Sequence, residues 1–135
     1  MLQDTIEFEA EIRAVDALNR WLAEAVAAAG LDRRVADDLK LCLHEIVSNI
    51  ILHGQGSDRR IQVDLQLSDD TATATVIDRC QAFDPTARPL ADKIRNLETA
   101  QIGGFGITLV RTVAETVRYA RAGGANVLTL TCRRR

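Results

Sequence analysis

The sequence of 135 residues has few cysteines and no long apolar run, and each shortage excludes a class of protein. Cys42, Cys80 and Cys132 lie far apart, form no CxxC pair and leave one residue over in any disulfide scheme, so we interpret them as reduced thiols. No apolar run approaches the roughly 20 residues that a bilayer span needs, and the N-terminus lacks the basic-then-apolar order of a signal peptide. We therefore expect a cytoplasmic protein without a membrane segment.

An excess of charge of one sign is also missing. The formal net charge of -2 gives no general reason to expect binding to nucleic acid, and we interpret the arginines at 133–135 as a solvated tail. Hydrophobic residues make up 47% and charged residues 27%, which is ordinary for a globular domain with a real core. The length predicts one domain over residues 1–135.

The first part of the chain shows one strand pattern and two helix patterns. Apolar residues of one parity in residues 2–12 indicate a strand, and helical spacing then continues up to Gly30, a residue suited to a helix C-terminus. Asp32 can cap a second helix, which Gly54 and Gly56 end. This part therefore predicts the order β-α-α.

The rest of the chain begins and ends with a pair of strands. Residues 61–67 alternate cleanly, and residues 71–78, TATATVID, are rich in β-branched side chains. Residues 84–102 are irregular, as in a functional lid or a disordered loop, residues 103–116 predict a third helix, and two strands meet at Gly123-Gly124. Sequential strands joined by tight turns predict an α+β fold: a two-layer α/β sandwich whose mixed, mostly antiparallel sheet is covered on one face by helices.

The second predicted helix carries polar residues at intervals of four through an apolar stretch, residues 39–54. Glu45, Asn49 and His53 share one face, because residues four apart lie one above the other on a helix. Buried polar groups are costly without partners, and an amide oxygen is a good ligand for Mg²⁺, which is commonly held by few protein groups plus phosphates. On this interpretation, we expect Asn49 to bind a metal ion and Glu45 to act as a general base. The alternative is that both sit at the solvent edge of the helix.

Two further segments carry residues suited to a nucleotide. Asp78 ends a strand, where it either accepts a hydrogen bond from an exocyclic amine such as that of adenine or simply forms a turn. Residues 103–110, GGFGITLV, open a helix whose glycines let the backbone approach phosphates and whose first turn offers free N–H groups. The alternative for this segment is a tight junction between loop and helix.

These segments, in this order, resemble the motifs of the GHKL ATPase superfamily, which includes gyrase and histidine kinases. EIVSN resembles the N box, DRCQAFDP the first glycine box and GGFGITLV the second. The start IEFEAEI, the phrase ADDLKLCLHEIVSNIILHG and the ending RYARAGGANVLTLT most resemble bacterial anti-sigma-factor serine/threonine kinases. The resemblance covers nearly the whole chain and implies the histidine-kinase-type ATP-binding fold.

The resemblance also implies roles for single residues. Asn49 matches the Mg²⁺ ligand, Glu45 the proposed general base, Asp78 the aspartate that recognises adenine, and residues 84–102 the ATP lid. The other residues that it places at the nucleotide are His53, Ala82, Phe83, Gly103, Gly104, Phe105, Gly106 and Thr129. His53 is equally well explained as a helix-end histidine that the helix dipole favours. The sequence does not decide which face of the last strand Thr129 occupies, since its neighbours Leu128 and Leu130 compete for the buried face.

The first glycine box departs from the family pattern. Cys80 and Ala82 occupy positions where relatives commonly have glycine, and Ala82 fits a looser variant of the motif. Cys80 places a Cβ where glycine would permit a positive φ or a close approach to the base. Cys80 is either a redox-sensitive thiol or an inert small residue.

Two functions follow from the resemblance. The first is a kinase that uses ATP and Mg²⁺ to phosphorylate a STAS-type anti-anti-sigma partner, and that holds either a sigma factor or the unmodified partner. The second is a non-catalytic, nucleotide-dependent module that sequesters a sigma factor or another regulator. A piece of a two-component histidine kinase fits less well, because the chain has no dimerisation helix with a phosphorylatable histidine. A homodimer is expected because relatives are often homodimers, whereas direct contact with nucleic acid is not expected.

Overall fold

The structure is a computed structural model that describes residues 1–87 and 105–134. The elements follow the predicted order along the chain. The strands are β1 (Leu2–Glu9), β2 (Arg60–Leu67), β3 (Thr71–Asp78), β4 (Thr116–Ala122) and β5 (Ala125–Arg133). The α-helices are α1 (Ala14–Ala29), α2 (Arg33–His53) and α3 (Phe105–Val113), and a 3-10 turn covers Pro85–Ala87.

The strands form one sheet in the order β1-β2-β3-β5-β4. All four pairings among the described residues are antiparallel, so the α+β prediction is confirmed and no parallel pair of a mixed sheet is seen there. At the β4–β5 turn, Gly123 and Gly124 have φ of 58° and 78°, as a two-residue hairpin turn with a primed conformation requires. The segment after β3 carries the chain to the far edge strand β4, which places β5 beside β3.

The sheet has one face covered by helices and one open face, because side chains alternate along each strand. In β2 and β3 the helix-facing positions are apolar and buried, from Ile61 to Leu67 and from Ala72 to Val76. The open face carries threonines, whose hydroxyls pair across the strands in Thr73–Thr131 at 3.5 Å and Thr75–Thr129 at 3.4 Å. Helices on one face were therefore predicted correctly.

Helix α2 supplies the central part of the covering layer. Its buried stripe includes Val35, Leu39, Leu43 and Ile46, at the predicted helical spacing. Each fully buried aliphatic side chain of this kind contributes about 1.5–3 kcal/mol relative to exposure. Arg59 closes the helix C-terminus, since its guanidinium donates to the carbonyls of Gly54 and Ile51. The end of α2 is thus fixed against the loop that leads into β2.

Two predicted boundaries were wrong by a few residues. Strand β1 ends at Glu9, and Ile12 is exposed in the connection to α1. Helix α3 ends at Val113 and not near Thr116, because Glu115 N–H already donates to Thr131 O at 2.8 Å and so joins the sheet. No helix within the described ranges is both long and apolar enough to pass through a bilayer.

Asp32→Ala should destabilise the fold through the start of α2. The Asp32 carboxylate accepts hydrogen bonds from the N–H groups of Arg34 at 3.1 Å and Val35 at 3.2 Å, as an N-cap residue does. Removing such a cap costs about 1 kcal/mol, measurable by urea unfolding. Asp37→Ala, which removes an exposed carboxylate further along α2, is the control and should change the free energy of unfolding by less than about 0.5 kcal/mol. Equal losses in both variants would contradict the capping role.

Candidate functional site

A cavity of about 440 Å³ lies where α2, β3 and α3 meet. Its apolar walls come from Ile46 and Ile50 of α2, Val76 of β3, Ile107 of α3 and Leu128 of β5. The polar groups come from the C-terminal part of α2, the end of β3, the loop that follows it, and Tyr119 of β4 and Asn126 of β5. An apolar pocket of this size with few polar groups is typical of a small-molecule site.

Helix α2 brings Asn49 and His53 to this cavity, one turn apart. Glu45 lies one turn before Asn49 and is half-buried, but it does not line the cavity. Within residues 1–87 and 105–134, the side chains of Glu45 and Asn49 form no hydrogen bond or ion pair. Two polar side chains without partners beside a cavity are therefore available to a ligand or a substrate.

Asp78 lies at the end of β3 on the helix-facing side, and it is only 6% exposed. Its Oδ1 accepts hydrogen bonds from Cys80 N–H at 3.0 Å and from Asn126 Nδ2 at 2.9 Å. The first of these bonds forms a turn. Asp78 therefore both stabilises the turn after β3 and presents a carboxylate to the cavity, so the two alternatives do not exclude each other. Both N–H donors use Oδ1, and the Cys80 thiol adds a weak side-chain hydrogen bond to the carboxylate. Oδ2 has no N–H partner among the described residues, which leaves it for a stronger donor in the cavity.

Asn126 is a residue of the cavity wall that was not predicted from the sequence. It faces Asp78 directly in the register of β3 and β5 and is also 6% exposed. A signal was present, because Asn126 shares the parity of Leu128 and Leu130, both of which are buried. A polar side chain on the apolar face of a strand needs a partner, and the parity argument applied to Asp78 would have found it.

The loop after β3 brings Cys80, Ala82 and Phe83 to the cavity. No residue other than glycine has a positive φ in the described ranges, so Cys80 and Ala82 do not need the conformational freedom of glycine. Burial, and then the carboxylate of Asp78, raises the pKa of the Cys80 thiol above its usual value. A protonated, buried thiol is a poor nucleophile, which favours the inert interpretation of Cys80.

Space for the Cys80 side chain comes from Gly54 at the end of α2. A Cβ built on Gly54 would lie 2.8 Å from Cys80 Sγ and 2.6 Å from the Ile50 carbonyl oxygen, both too close for a real side chain. The same two segments are joined by a hydrogen bond from Gln81 N–H to Gln55 O at 2.7 Å. Glycine is thus needed at position 54 for close approach.

Thr129 is not at the cavity, which corrects its expected role. Its side chain lies on the open face of the sheet, paired with Thr75, because Leu128 and Leu130 take the helix-facing side. Gly103 and Gly104, with most of the expected lid, lie outside the described residues.

The second glycine box contributes to the site through α3. Phe105 and Gly106 form the start of this helix, and the next residue, Ile107, lines the cavity. The first turn of α3 therefore lies at the cavity, where helix N–H groups favour an anion.

The donors at the cavity do not form a complete protein metal site. Among residues 1–87 and 105–134, no cluster of three or more His, Cys, Asp or Glu side chains could hold a metal ion. Asn49 offers one hard oxygen without a partner, which fits a metal of the Mg²⁺ type that takes its other ligands from phosphates and water. The residues present therefore fit Mg²⁺ arriving with a nucleotide.

The chain is similar to known proteins over nearly its whole length. The family model described as histidine kinase-like ATPase domain matches residues 8–132. Serine/threonine-protein kinase BtrW of Bordetella bronchiseptica is 32% identical over 131 residues, which are 95% of this chain and 92% of the relative. Serine-protein kinase RsbW of Listeria monocytogenes is 25% identical over 130 residues, 92% of this chain and 83% of the relative.

Solved structures support the fold alone. The crystal structure of the RsbU and RsbW domains of Rv1364c from Mycobacterium tuberculosis superposes with a TM-score of 0.71 at 24% identity, over 98% of this chain and 32% of that chain. The histidine kinase AdeS of Acinetobacter baumannii gives a TM-score of 0.50 at 11% identity, over 98% of this chain and 68% of that one. The chain thus spans about a third of the first structure.

Gly54→Ala should destabilise the protein because the new Cβ would meet Cys80 Sγ and the Ile50 carbonyl. Overpacking of this kind costs about 1–3 kcal/mol. Cys80→Ala in the same chain should recover part of the loss, since it removes the thiol but leaves the carbonyl contact. A double-mutant cycle by urea unfolding measures this coupling. Additive effects would show that the two residues do not compete for the same space.

Proposed function

The chain belongs to the histidine kinase-like ATPase family, and we propose that it transfers phosphate from ATP to a serine or threonine of a STAS-domain anti-anti-sigma partner. Family membership rests on the model that matches residues 8–132. ATP use and serine/threonine kinase activity follow from the family and from two named kinases that match this chain over most of their length. The partner and the residue roles are the proposal.

One observation carries the proposal: Asn49, Asp78 and the first turn of α3 meet at one cavity. They come from three distant segments, and each offers a group suited to a different part of a nucleotide. Asn49 can meet a metal, Asp78 a base, and the helix start a phosphate. Convergence of these three groups supports an ATP site.

Asp78 accounts for recognition of adenine. The exocyclic amine of adenine is a donor that matches Oδ2 of Asp78, the oxygen to which no N–H group of the described residues donates. Guanine carries a carbonyl oxygen at that position, so two acceptors would face each other. An unmatched acceptor in a buried site costs about 1–3 kcal/mol, which favours ATP over GTP. His53, Ala82 and Phe83, which line the same cavity, are proposed to contact the nucleotide.

The phosphates are proposed to lie at the start of α3. Backbone N–H groups of a first helical turn bind anions, and Phe105 and Gly106 form that turn. We keep Gly103 and Gly104 as proposed phosphate contacts on the strength of the motif. Mg²⁺ held by Asn49 would neutralise charge on the phosphate oxygens.

Glu45 is proposed as the general base. It lies one turn from Asn49, half-buried and without a partner in the described part of the chain. Its carboxylate takes the proton of the attacking hydroxyl while the new bond forms between that oxygen and the γ-phosphorus. The bond to the β–γ bridging oxygen breaks, and ADP leaves.

Phosphorylation would then act as a partner switch. A phosphate adds about -1.5 to -2 charges and disrupts a close-packed interface. The modified partner is released, and the kinase is free to hold a sigma factor instead. We propose a single cytoplasmic domain over residues 1–135 with a lid at 84–102, which acts as a homodimer.

A second candidate is a nucleotide-dependent binding module without transfer. The observation that favours it is the position of Glu45 outside the cavity lining. The replaced glycine at Cys80 does not favour it, since the loop has no positive φ to accommodate. The two candidates differ in whether a phosphate reaches the partner.

Glu45→Gln should abolish phosphate transfer and leave ATP affinity within about twofold, since a general base contributes 10²–10⁴-fold to rate. The measurement is the mass gain of a STAS protein incubated with ATP, Mg²⁺ and the kinase. Glu24→Gln, an exposed change on α1, is the control and should retain full activity. Transfer by the Glu45 variant at the parent rate would remove Glu45 from the mechanism. Tight ATP binding with no transfer by the parent would favour the binding module.

Asn49→Ala should remove the Mg²⁺-dependent part of ATP binding, about tenfold in affinity, because the amide oxygen is the proposed metal ligand. Calorimetry with and without Mg²⁺ measures this part directly. Asn19→Ala on α1 serves as the matched control and should keep the full Mg²⁺ effect. An Asn49 variant with the same Mg²⁺ effect as the parent would exclude the metal role.

A further inference from the structure

Asn126 and Asp78 are the two buried polar side chains of the described residues, and they face each other across β3 and β5. Asn126 Nδ2 donates to Asp78 Oδ1 at 2.9 Å and to the carbonyl of Gln81 at 3.0 Å. Both hydrogens of the amide group are therefore used by acceptors at the nucleotide cavity.

The carbonyl oxygen of Asn126 is used as fully as its amide group. It accepts hydrogen bonds from the Tyr119 hydroxyl at 2.6 Å, from Phe83 N–H at 3.2 Å and from Arg121 Nη1 at 3.2 Å. The partners fix the orientation of the amide, because three donors meet the oxygen and three acceptors meet the nitrogen, the third being the carbonyl of Cys80 at 3.5 Å. If the amide were rotated by 180°, its NH₂ group would face the donors from Tyr119 and Arg121, and its oxygen would face the Asp78 carboxylate.

This fixed amide sets the orientation of the Asp78 carboxylate and occupies one of its two oxygens. With Asn126 Nδ2 and Cys80 N–H both on Oδ1, the remaining acceptor is Oδ2. The two oxygens of a carboxylate are equivalent, so these bonds fix the plane of the group and leave one oxygen for the cavity; without them the broad χ2 torsion of aspartate lets that plane rotate. Asn126 therefore holds the geometry on which recognition of an exocyclic amine depends.

The same hydrogen bonds hold the loop after β3, in which Cys80 and Ala82 stand where relatives commonly have glycine. Arg121 Nη1 donates to Cys80 O at 2.8 Å, Asn126 binds Gln81 O, and Phe83 N–H binds Asn126. Three positions of this loop are thus held by side chains of β4 and β5. The loop conformation follows from these contacts and not from glycine.

We propose that Asn126, held by Tyr119 and Arg121 from the edge strand β4, is the positioning residue that gives this site its selectivity for the exocyclic amine of adenine. The inference rests on the proposed function, because it assumes that the cavity binds ATP. Asn126 acts through Asp78, so its effect belongs to the choice between bases and not to binding of the phosphates. A purely structural role would weaken all nucleotides alike.

The experiment compares ATP with purine riboside triphosphate, which lacks only the exocyclic amine. Asn126→Asp keeps the acceptor for Tyr119 and Arg121 but sets a carboxylate against Asp78. We expect ATP affinity to fall at least about tenfold, while affinity for the analogue falls about threefold or less. Tyr119→Phe removes one hydroxyl and should reduce the preference for ATP by about threefold. Thr129→Val, on the open face of β5, is the control and should change neither affinity.

The outcomes separate this inference from the function on which it rests. A parent protein that binds no ATP would overturn both. A parent that prefers ATP to the analogue, with variants that lose both affinities by the same factor, would overturn the positioning role and leave the ATP site standing. Tyr119→Phe is a mild change, so it decides the matter even where Asn126→Asp does not fold. Loss of preference in either variant, with thermal unfolding unchanged for Tyr119→Phe, supports the proposal.

Discussion

The buried carboxylate of Asp78 is the constraint around which the site is built. A carboxylate on the apolar side of a sheet is costly unless hydrogen bonds compensate for its lost hydration. Asn126 and the Cys80 N–H group compensate for it at one oxygen. These bonds join the turn after β3, the start of β5 and the loop at the cavity wall. The oxygen left over is the chemically useful one, so the compensation that stabilises the fold also defines the recognition group.

Helix α2 meets a second requirement, which is to offer polar groups from an element that belongs to the core. Helical geometry allows this because the buried stripe through Leu39 and Leu43 and the stripe through Glu45 and Asn49 lie on different faces. The cost is two polar side chains without partners in the described part of the chain. A ligand site requires polar groups whose hydrogen-bonding capacity is still unused. The helix tolerates them because its other residues pack in the core and Asp32 caps its N-terminus.

Local patterns explain how much could be predicted from sequence. Alternation along β2 and β3, the cap at Asp32 and the spacing on α2 depend on neighbours within one element, and these features were predicted correctly. Asp78 followed from the parity of its own strand. The parity of Asn126 with Leu128 and Leu130 could have indicated its burial, but its role depends on which residue of another strand lies opposite. Thr129 was left open for the same reason, since only the packing of both leucine neighbours against the helices decides its side.

The loop after β3 shows what glycine supplies to a nucleotide pocket. A glycine offers two separate things, access to positive φ and the absence of a Cβ. This loop does without the first, since Cys80 and Ala82 keep ordinary backbone conformations. It obtains the second from Gly54, on the other side of the contact, where the missing Cβ makes room for the Cys80 thiol. The close approach that a glycine in the family motif would permit is therefore achieved here by Cys80 together with Gly54. Close approach of two segments is a property of both surfaces, so a change in one motif has to be judged together with the residue that it faces.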